Sequence, residues 1–219
     1  MNEASGLANT FLLVYAGLFP IVNPIGGAPI FLGLTRRCDD HQRNALALRV
    51  AFNSFFLLLG SLLAGSYILE FFGITLPIVR IAGGLVVSVA GWNLLQKGDD
   101  DGTDAHAAHE PVKPHDGFYP LTMPITVGPG SIAVAITIGS QRPPFANLPQ
   151  VALLGGAAVA GLIAIAATIF VCYRFAEDTV GALGERGTDV FVRLSAFILL
   201  CIGIGIIWNG YSALVPVTG

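Results

Sequence analysis

Two motifs rich in proline and glycine, 100 residues apart, are the part of this sequence best suited to binding chemistry. They occupy residues 19–29 and 119–129, and both lie inside long apolar stretches. Prolines stand at positions 20, 24 and 29 and recur at 120, 124 and 129. Proline removes a backbone donor and clashes with the preceding helical turn, and glycine weakens a helix, so each motif predicts a broken helix. Non-helical backbone at membrane depth is tolerated where it lines a cavity, which makes both breaks candidate binding sites.

The chemistry available at the breaks suits a small neutral or zwitterionic solute. The start of each half-helix presents backbone amides that attract a carboxylate, and glycines let a ligand approach the backbone closely. Neither motif contains an arginine or an acid, which disfavours a nucleotide, a phosphate ester or a bulky cation. The candidate binding residues are Asn23, Pro24, Gly26, Gly27, Thr122, Pro124, Thr126, Gly128, Gly130 and Ser131. Alternatively, their polar side chains only satisfy backbone groups that the breaks release.

The composition is that of an integral membrane protein. Hydrophobic residues make up 54% of the chain, charged residues only 11%, and the mean hydropathy is +0.73. The net charge of −3 offers no basic surface for nucleic acid, so we expect a lipid bilayer and a small molecule as partners. The first apolar run is too long and too uncharged at its start for a cleaved signal peptide, and we expect it to be retained.

Six apolar stretches are long enough to span a bilayer, which needs about 20 residues. They lie near 7–35, 44–72, 74–96, 118–141, 149–174 and 188–215. A three-helix unit begins and ends on opposite sides of the membrane, so a duplicate of it must be inserted upside down. We therefore predict an all-α fold with two inverted three-helix repeats, 1–96 and 118–219, in which the first and fourth helices are broken. Residues 97–117 connect the repeats.

Positive residues orient the spans, because lysine and arginine accumulate in cytoplasmic loops. Nine of them lie in or beside the odd-numbered connections and two on the opposite side. The nine are Arg36, Arg37, Arg43, Arg49, Lys97, Lys113, Arg174, Arg186 and Arg193; the two are Arg80 and Arg142. The pattern predicts a cell-membrane protein with both termini outside the cytoplasm.

The two motifs, together with a third, resemble signatures of the MarC/SnatA family of membrane proteins. The matching segments are 23–26 and 29–32 with Thr35, then 80–84, and then 120–124 with 128–132. The resemblance covers essentially the whole chain, although residues 208–210 have no match that we can identify. It implies transport of small neutral amino acids such as glycine and alanine. It also implies that the important positions are Asn23, Pro24, Gly26, Thr122, Pro124, Gly128 and Gly130.

We accordingly expect a secondary carrier for a small neutral amino acid that works by alternating access. Efflux of another small solute, including antibiotic-type compounds, and passive conduction are the alternatives. An intramembrane enzyme is disfavoured, because no histidine or acid falls securely inside a span. No cofactor is expected. Sodium and protons both stay open as the coupling ion.

Two arginines just inside predicted spans, Arg80 and Arg193, are candidates for anchoring or gating. Glu70 is a possible partner for Arg80. The possible partners for Arg193 are Glu177, Asp178, Glu185 and Asp189.

Three further features have structural interpretations. Small residues recur every fourth position from Gly156 to Thr168 and predict close packing of the fifth helix. Asn53, deep in the second span, is expected to make an interhelical hydrogen bond. Residues 97–117 contain His106 and His109 with several acids and could be mistaken for a metal site. Their low apolar content predicts a flexible loop, and no metal site is assigned, although the sequence leaves metal binding by this loop open.

Overall fold

The computed structural model of the chain describes residues 3–96, 117–140 and 148–215. Within these ranges the chain is helical and contains no strand. The elements are α1 (Glu3–Val22), α2 (Pro24–Leu34), α3 (Asp40–Phe71), α4 (Leu76–Gln96), a π-helical segment (Gly117–Thr126), α5 (Pro129–Ser140), α6 (Leu148–Arg174) and α7 (Ala176–Leu214). The predicted loop with its histidines and acids, 97–117, lies outside the described residues except for Gly117.

Four of the described helices are long and apolar enough to cross a membrane, and the count rises to six spans if each of two bent pairs is one span. The pair α1 and α2 bends by 42°, and the π segment and α5 bend by 72°. The outward surface is apolar: Phe52, Leu194 and Ile204 are each more than half exposed. Apolar helices with apolar outer faces are the signature of a multi-pass membrane protein, and the predicted breaks in the first and fourth spans are confirmed.

The break between α1 and α2 is a single residue in the left-handed conformation. Asn23 has φ 46° and ψ 57°, and Pro24 follows it as the first residue of α2. Asparagine tolerates this conformation better than most residues, and proline suits a first helical position because its missing N–H would have no partner there. The Asn23 side chain then caps α2 by accepting a hydrogen bond from the Gly26 amide at 3.2 Å. The sequence Asn-Pro therefore ends one helix and starts the next.

The π segment is irregular because of its two prolines. Tyr119 (φ −118°, ψ 131°) and Met123 (φ −118°, ψ 122°) have extended backbone, and each immediately precedes a proline. Proline clashes with a helical residue before it and pushes that residue into the extended region. Pro120 and Pro124 thus interrupt the helix twice within one segment.

The last spans of the two halves, α4 and α7, pack backbone against backbone at glycines. A Cβ on Gly84 would lie only 2.7 Å from the Gly203 carbonyl oxygen, and one on Gly91 only 2.7 Å from a backbone nitrogen of α7. Farther along, a Cβ on Gly210 would lie 2.8 Å from the Pro77 carbonyl oxygen. These contacts leave no room for any side chain and assign a packing role to Gly210, in the segment that the sequence left unexplained.

The close packing predicted for the small-residue stripe on α6, from Gly156 to Thr168, is only partly confirmed. A Cβ on Gly156 would meet no atom within 4 Å, and this residue lines an open apolar groove between α1 and α6. The close approach occurs at Gly161, whose Cβ would lie 2.9 Å from the Val14 side chain. At the other end of the stripe, Thr168 shares a 3.2 Å hydrogen bond with the Tyr15 hydroxyl. The predicted close packing therefore occurs at the Thr168 end of the stripe and at the neighbouring Gly161, but not at Gly156.

The corner between α6 and α7 is tied to the start of α3. Ala176 is fully buried there, and the neighbouring Glu177 accepts a hydrogen bond from the Arg43 guanidinium. This ion pair places the first and fifth connections on the same side of the molecule. α7 continues as helix to a kink at Gly184, where φ is 68°, a value that glycine adopts without steric cost.

Candidate functional site at the two broken helices

The first break leaves few backbone donors for a ligand. Pro24 has no N–H, the Gly26 amide bonds to the Asn23 side chain, and the Gly27 amide bonds to the Asn23 carbonyl at 2.9 Å. Ile25 therefore carries the one remaining amide of the first turn of α2. The predicted anion-attracting helix start is largely occupied by its own cap.

The second break differs because Gly128, which precedes Pro129 at the start of α5, has no side chain with which to cap the helix. The Ile132 amide returns to the Gly128 carbonyl at 3.2 Å, and Pro129 has no N–H. The amides of Gly130 and Ser131 are thus the donors closest to this break. Both residues are buried, so these donors lie in the protein interior.

The two threonines of the second motif satisfy the broken backbone. Thr122 donates to the Gly117 carbonyl at 2.7 Å, and Thr126 donates to the Leu121 carbonyl at 2.7 Å. Both side chains are almost fully buried. Asn53 of α3 donates to the Thr122 hydroxyl at 3.4 Å, which confirms the interhelical hydrogen bond predicted for it. These contacts favour a structural role for both threonines in this conformation.

The four motif glycines face different surroundings. A Cβ on Gly26 would lie 2.9 Å from Cγ of Asn23, and one on Gly27 would lie 2.7 Å from the Tyr173 hydroxyl. Gly130 lies against the Val87 side chain of α4. At Gly128 a Cβ would meet a single atom within 4 Å, the Pro124 carbonyl oxygen at 3.3 Å. Of the four, Gly128 therefore has the most open surroundings.

Tyr173, near the end of α6, joins the two breaks and was not among the predicted site residues. Its side chain is 1% exposed, and its ring stacks on Phe31 of α2 with centroids 4.5 Å apart. Its hydroxyl lies 2.8 Å from the Thr126 hydroxyl and also touches Gly27. In the sequence, Tyr173 precedes Arg174 at the end of a span and resembles an ordinary residue of the membrane interface. This position beside the end of a span was the only sequence signal that could have identified it.

The two candidate arginines have different surroundings in the structure. Arg80 is half-buried and packs at the interface of α4 and α7, because a Cβ added to Gly210 would lie 3.0 Å from the Cβ of Arg80. Among the described residues no ion pair joins Arg80 to Glu70. Arg193 is exposed, and Glu177, one of the acids considered for it, pairs with Arg43. The pairing of Arg80 with Glu70 that the sequence suggested is not formed in this conformation.

Comparison with known proteins agrees with these features. The family profile described as "MarC family integral membrane protein" matches residues 8–215. The chain is 30% identical to the UPF0056 membrane protein YvbG of Bacillus subtilis, over 93% of this chain and 95% of that protein. It is 31% identical to the UPF0056 inner membrane protein MarC of Escherichia coli and 29% identical to that of Salmonella typhimurium, each over 88% of this chain and 90% of the relative. No solved structure gives a significant match. The chain belongs to the MarC family of integral membrane proteins.

Proposed function

We propose that this protein is a secondary transporter of small neutral amino acids, of the glycine and alanine class, that works by alternating access. The observation that carries the proposal is that two broken spans without charged residues in their motifs meet around one buried hydroxyl, that of Tyr173. The uncapped amides of Gly130 and Ser131 suit a carboxylate, and the open face of Gly128 suits a ligand with little bulk. A transporter fits this arrangement better than an enzyme, which would need a nucleophile, a base or metal ligands there.

The pattern of helix neighbours supports an inverted repeat. Such a repeat relates the α1–α2 pair to the π segment with α5, α3 to α6, and α4 to α7. The related helices α4 and α7 pack together, as do α3 and α6. In addition, α3 packs on α5 and the π segment, and α6 packs in the corresponding way on α1 and α2. A rocking motion of one half against the other would then open the breaks to either side in turn.

The proposed location is the cytoplasmic membrane, with both termini outside the cytoplasm. The ion pair between Arg43 and Glu177 joins two connections that the distribution of positive residues assigns to the cytoplasmic side. The printed names of the Salmonella and Escherichia relatives include the words inner membrane.

Counterflow in proteoliposomes tests the function. Vesicles that contain purified protein and unlabelled alanine should take up labelled alanine in a saturable way, and glycine should compete. Empty vesicles and vesicles with the Gly128→Val variant are the controls. Sodium and proton gradients, imposed separately, should show which ion accelerates net uptake. Folded wild-type protein without any exchange of small neutral amino acids would refute the proposed substrate class, and exchange of an amphipathic drug instead would favour efflux.

A further inference from the structure

The side chain of Tyr173, on α6, contacts both broken spans. Its hydroxyl lies 2.8 Å from the Thr126 hydroxyl in the π segment and covers the backbone of Gly27 in α2. The ring below it stacks on Phe31, also in α2. One side chain on α6 thus holds the π segment and α2 in a single arrangement.

The direction of the hydrogen bond follows from its neighbour. Thr126 lies 2.7 Å from the Leu121 carbonyl oxygen, which can only accept, so Thr126 uses its single hydrogen there. Tyr173 must therefore be the donor to Thr126. The result is a buried chain of hydrogen bonds from Tyr173 through Thr126 to the Leu121 carbonyl.

The corner that follows Tyr173 adds a second attachment on the same side. Ala176 is fully buried, and Glu177 binds Arg43 at the start of α3. The stretch from Tyr173 to Glu177 therefore contacts α2, the π segment and α3, and these contacts all lie at the end of α6 that the charge pattern assigns to the cytoplasm.

We propose that Tyr173 is a positioning residue of the transport site. Its side chain holds the two broken helices together on the predicted cytoplasmic side, and it covers Gly27 until the site opens to that side. The proposal rests on the transport function proposed above. Loss of the hydroxyl leaves the ring and its stacking in place but removes the hydrogen bond to Thr126. The two broken helices then separate more readily on that side.

The chain offers a matched control for this change. Tyr15 of α1 shares a hydrogen bond of 3.2 Å with Thr168 of α6, which is also a tyrosine–threonine contact between helices. Tyr15→Phe therefore removes the same chemical group from a contact whose two residues lie outside both proline motifs. Any general loss of helix packing should affect both variants equally.

The first measurement is side-specific labelling. Cys38, Cys172 and Cys201 are replaced by serine, and a cysteine is introduced by Gly128→Cys, where the surroundings are open. A membrane-impermeant maleimide is then applied to inverted and to right-side-out vesicles. An average interhelical hydrogen bond in a membrane protein changes an opening equilibrium by about threefold, and the strongest by about tenfold or more. Tyr173→Phe and Thr126→Val should raise the labelling rate from the cytoplasmic face by this factor, and Tyr15→Phe should leave it unchanged.

The second measurement is alanine counterflow in proteins that retain Gly128. Tyr173→Phe should change the maximal rate and the half-saturating concentration by different factors, whereas a variant that is merely less folded loses maximal rate only. Equal labelling in Tyr173→Phe and Tyr15→Phe would overturn the proposal. If wild-type protein exchanges no amino acid but Tyr173→Phe still accelerates labelling, the positioning role stands and the proposed substrate fails.

Discussion

The glycine contact between α4 and α7 makes a sharp prediction about stability. Gly203 faces α4, and a Cβ there would lie 2.6 Å from the Ser88 backbone nitrogen and 2.8 Å from the Gly84 carbonyl oxygen. Gly205, two residues farther along the same helix, is exposed, and a Cβ there would meet nothing within 4 Å. We expect Gly203→Ala to destabilise the protein and Gly205→Ala to leave it unchanged or more stable.

The magnitudes follow from these distances. Ordinary nonbonded contacts need about 3.5 Å, so Gly203→Ala forces two backbones apart by roughly 1 Å, and such overpacking costs about 1–3 kcal/mol. Gly205→Ala has no clash and gains up to about 1 kcal/mol because alanine favours a helix. Both changes have the same effect on the unfolded chain, so the difference between them reports on the folded state.

Thermal denaturation of detergent-purified protein, followed by the folded peak in size-exclusion chromatography, measures this difference. At about 2–4 °C per kcal/mol for a chain of this length, the midpoints of the two variants should differ by at least about 2 °C, with Gly203→Ala lower. Equal midpoints would mean that α4 and α7 do not pack at Gly203, which would refute the helix arrangement described above.

Two other predictions concern the breaks and the corner between α6 and α7. Gly128→Val should abolish counterflow without loss of folded protein, because the surroundings of Gly128 are open. Gly26→Val should also lower the thermal midpoint, because the new side chain would clash with Asn23. Unchanged counterflow in folded Gly128→Val would show that the second break is not the binding site. Arg43→Gln should destabilise the protein by about 1–3 kcal/mol, since the guanidinium is 13% exposed. Glu177→Gln should cost no more than about 1 kcal/mol because that carboxylate is 66% exposed; equal shifts in both thermal midpoints would contradict this ranking.

Both breaks could be predicted from the sequence because their cause is local. A proline restricts the residue before it and removes its own donor whatever lies around it, so Asn23, Tyr119 and Met123 depart from helical geometry next to prolines. The apolar spans were also predictable, since bilayer thickness sets their length. The breaks depend on a few consecutive residues, and the spans depend on the thickness of the bilayer.

The contacts between helices were harder to predict because they depend on which faces meet. Tyr173 lies 47 residues from Thr126 in the chain, and no spacing rule connects the two. The packing of α4 on α7 did leave a signal, because Gly84 and Gly91 are seven residues apart, as are Gly203 and Gly210. The four-residue stripe from Gly156 was regular, but Gly156 itself has no neighbour within 4 Å of a Cβ, so small residues alone did not identify the interface.

The two breaks are alike in proline position but unequal in what they can offer a ligand. In the first, Asn23 turns its side chain back onto α2 and uses the Gly26 amide. In the second, Gly128 cannot cap, and the polar side chains before it are bonded to their own segment. A carboxylate therefore finds free donors mainly at the start of α5, while α2 provides the glycine surface that Tyr173 covers. The proposed site is therefore asymmetric: the second break offers the backbone donors, and the first break offers a glycine surface.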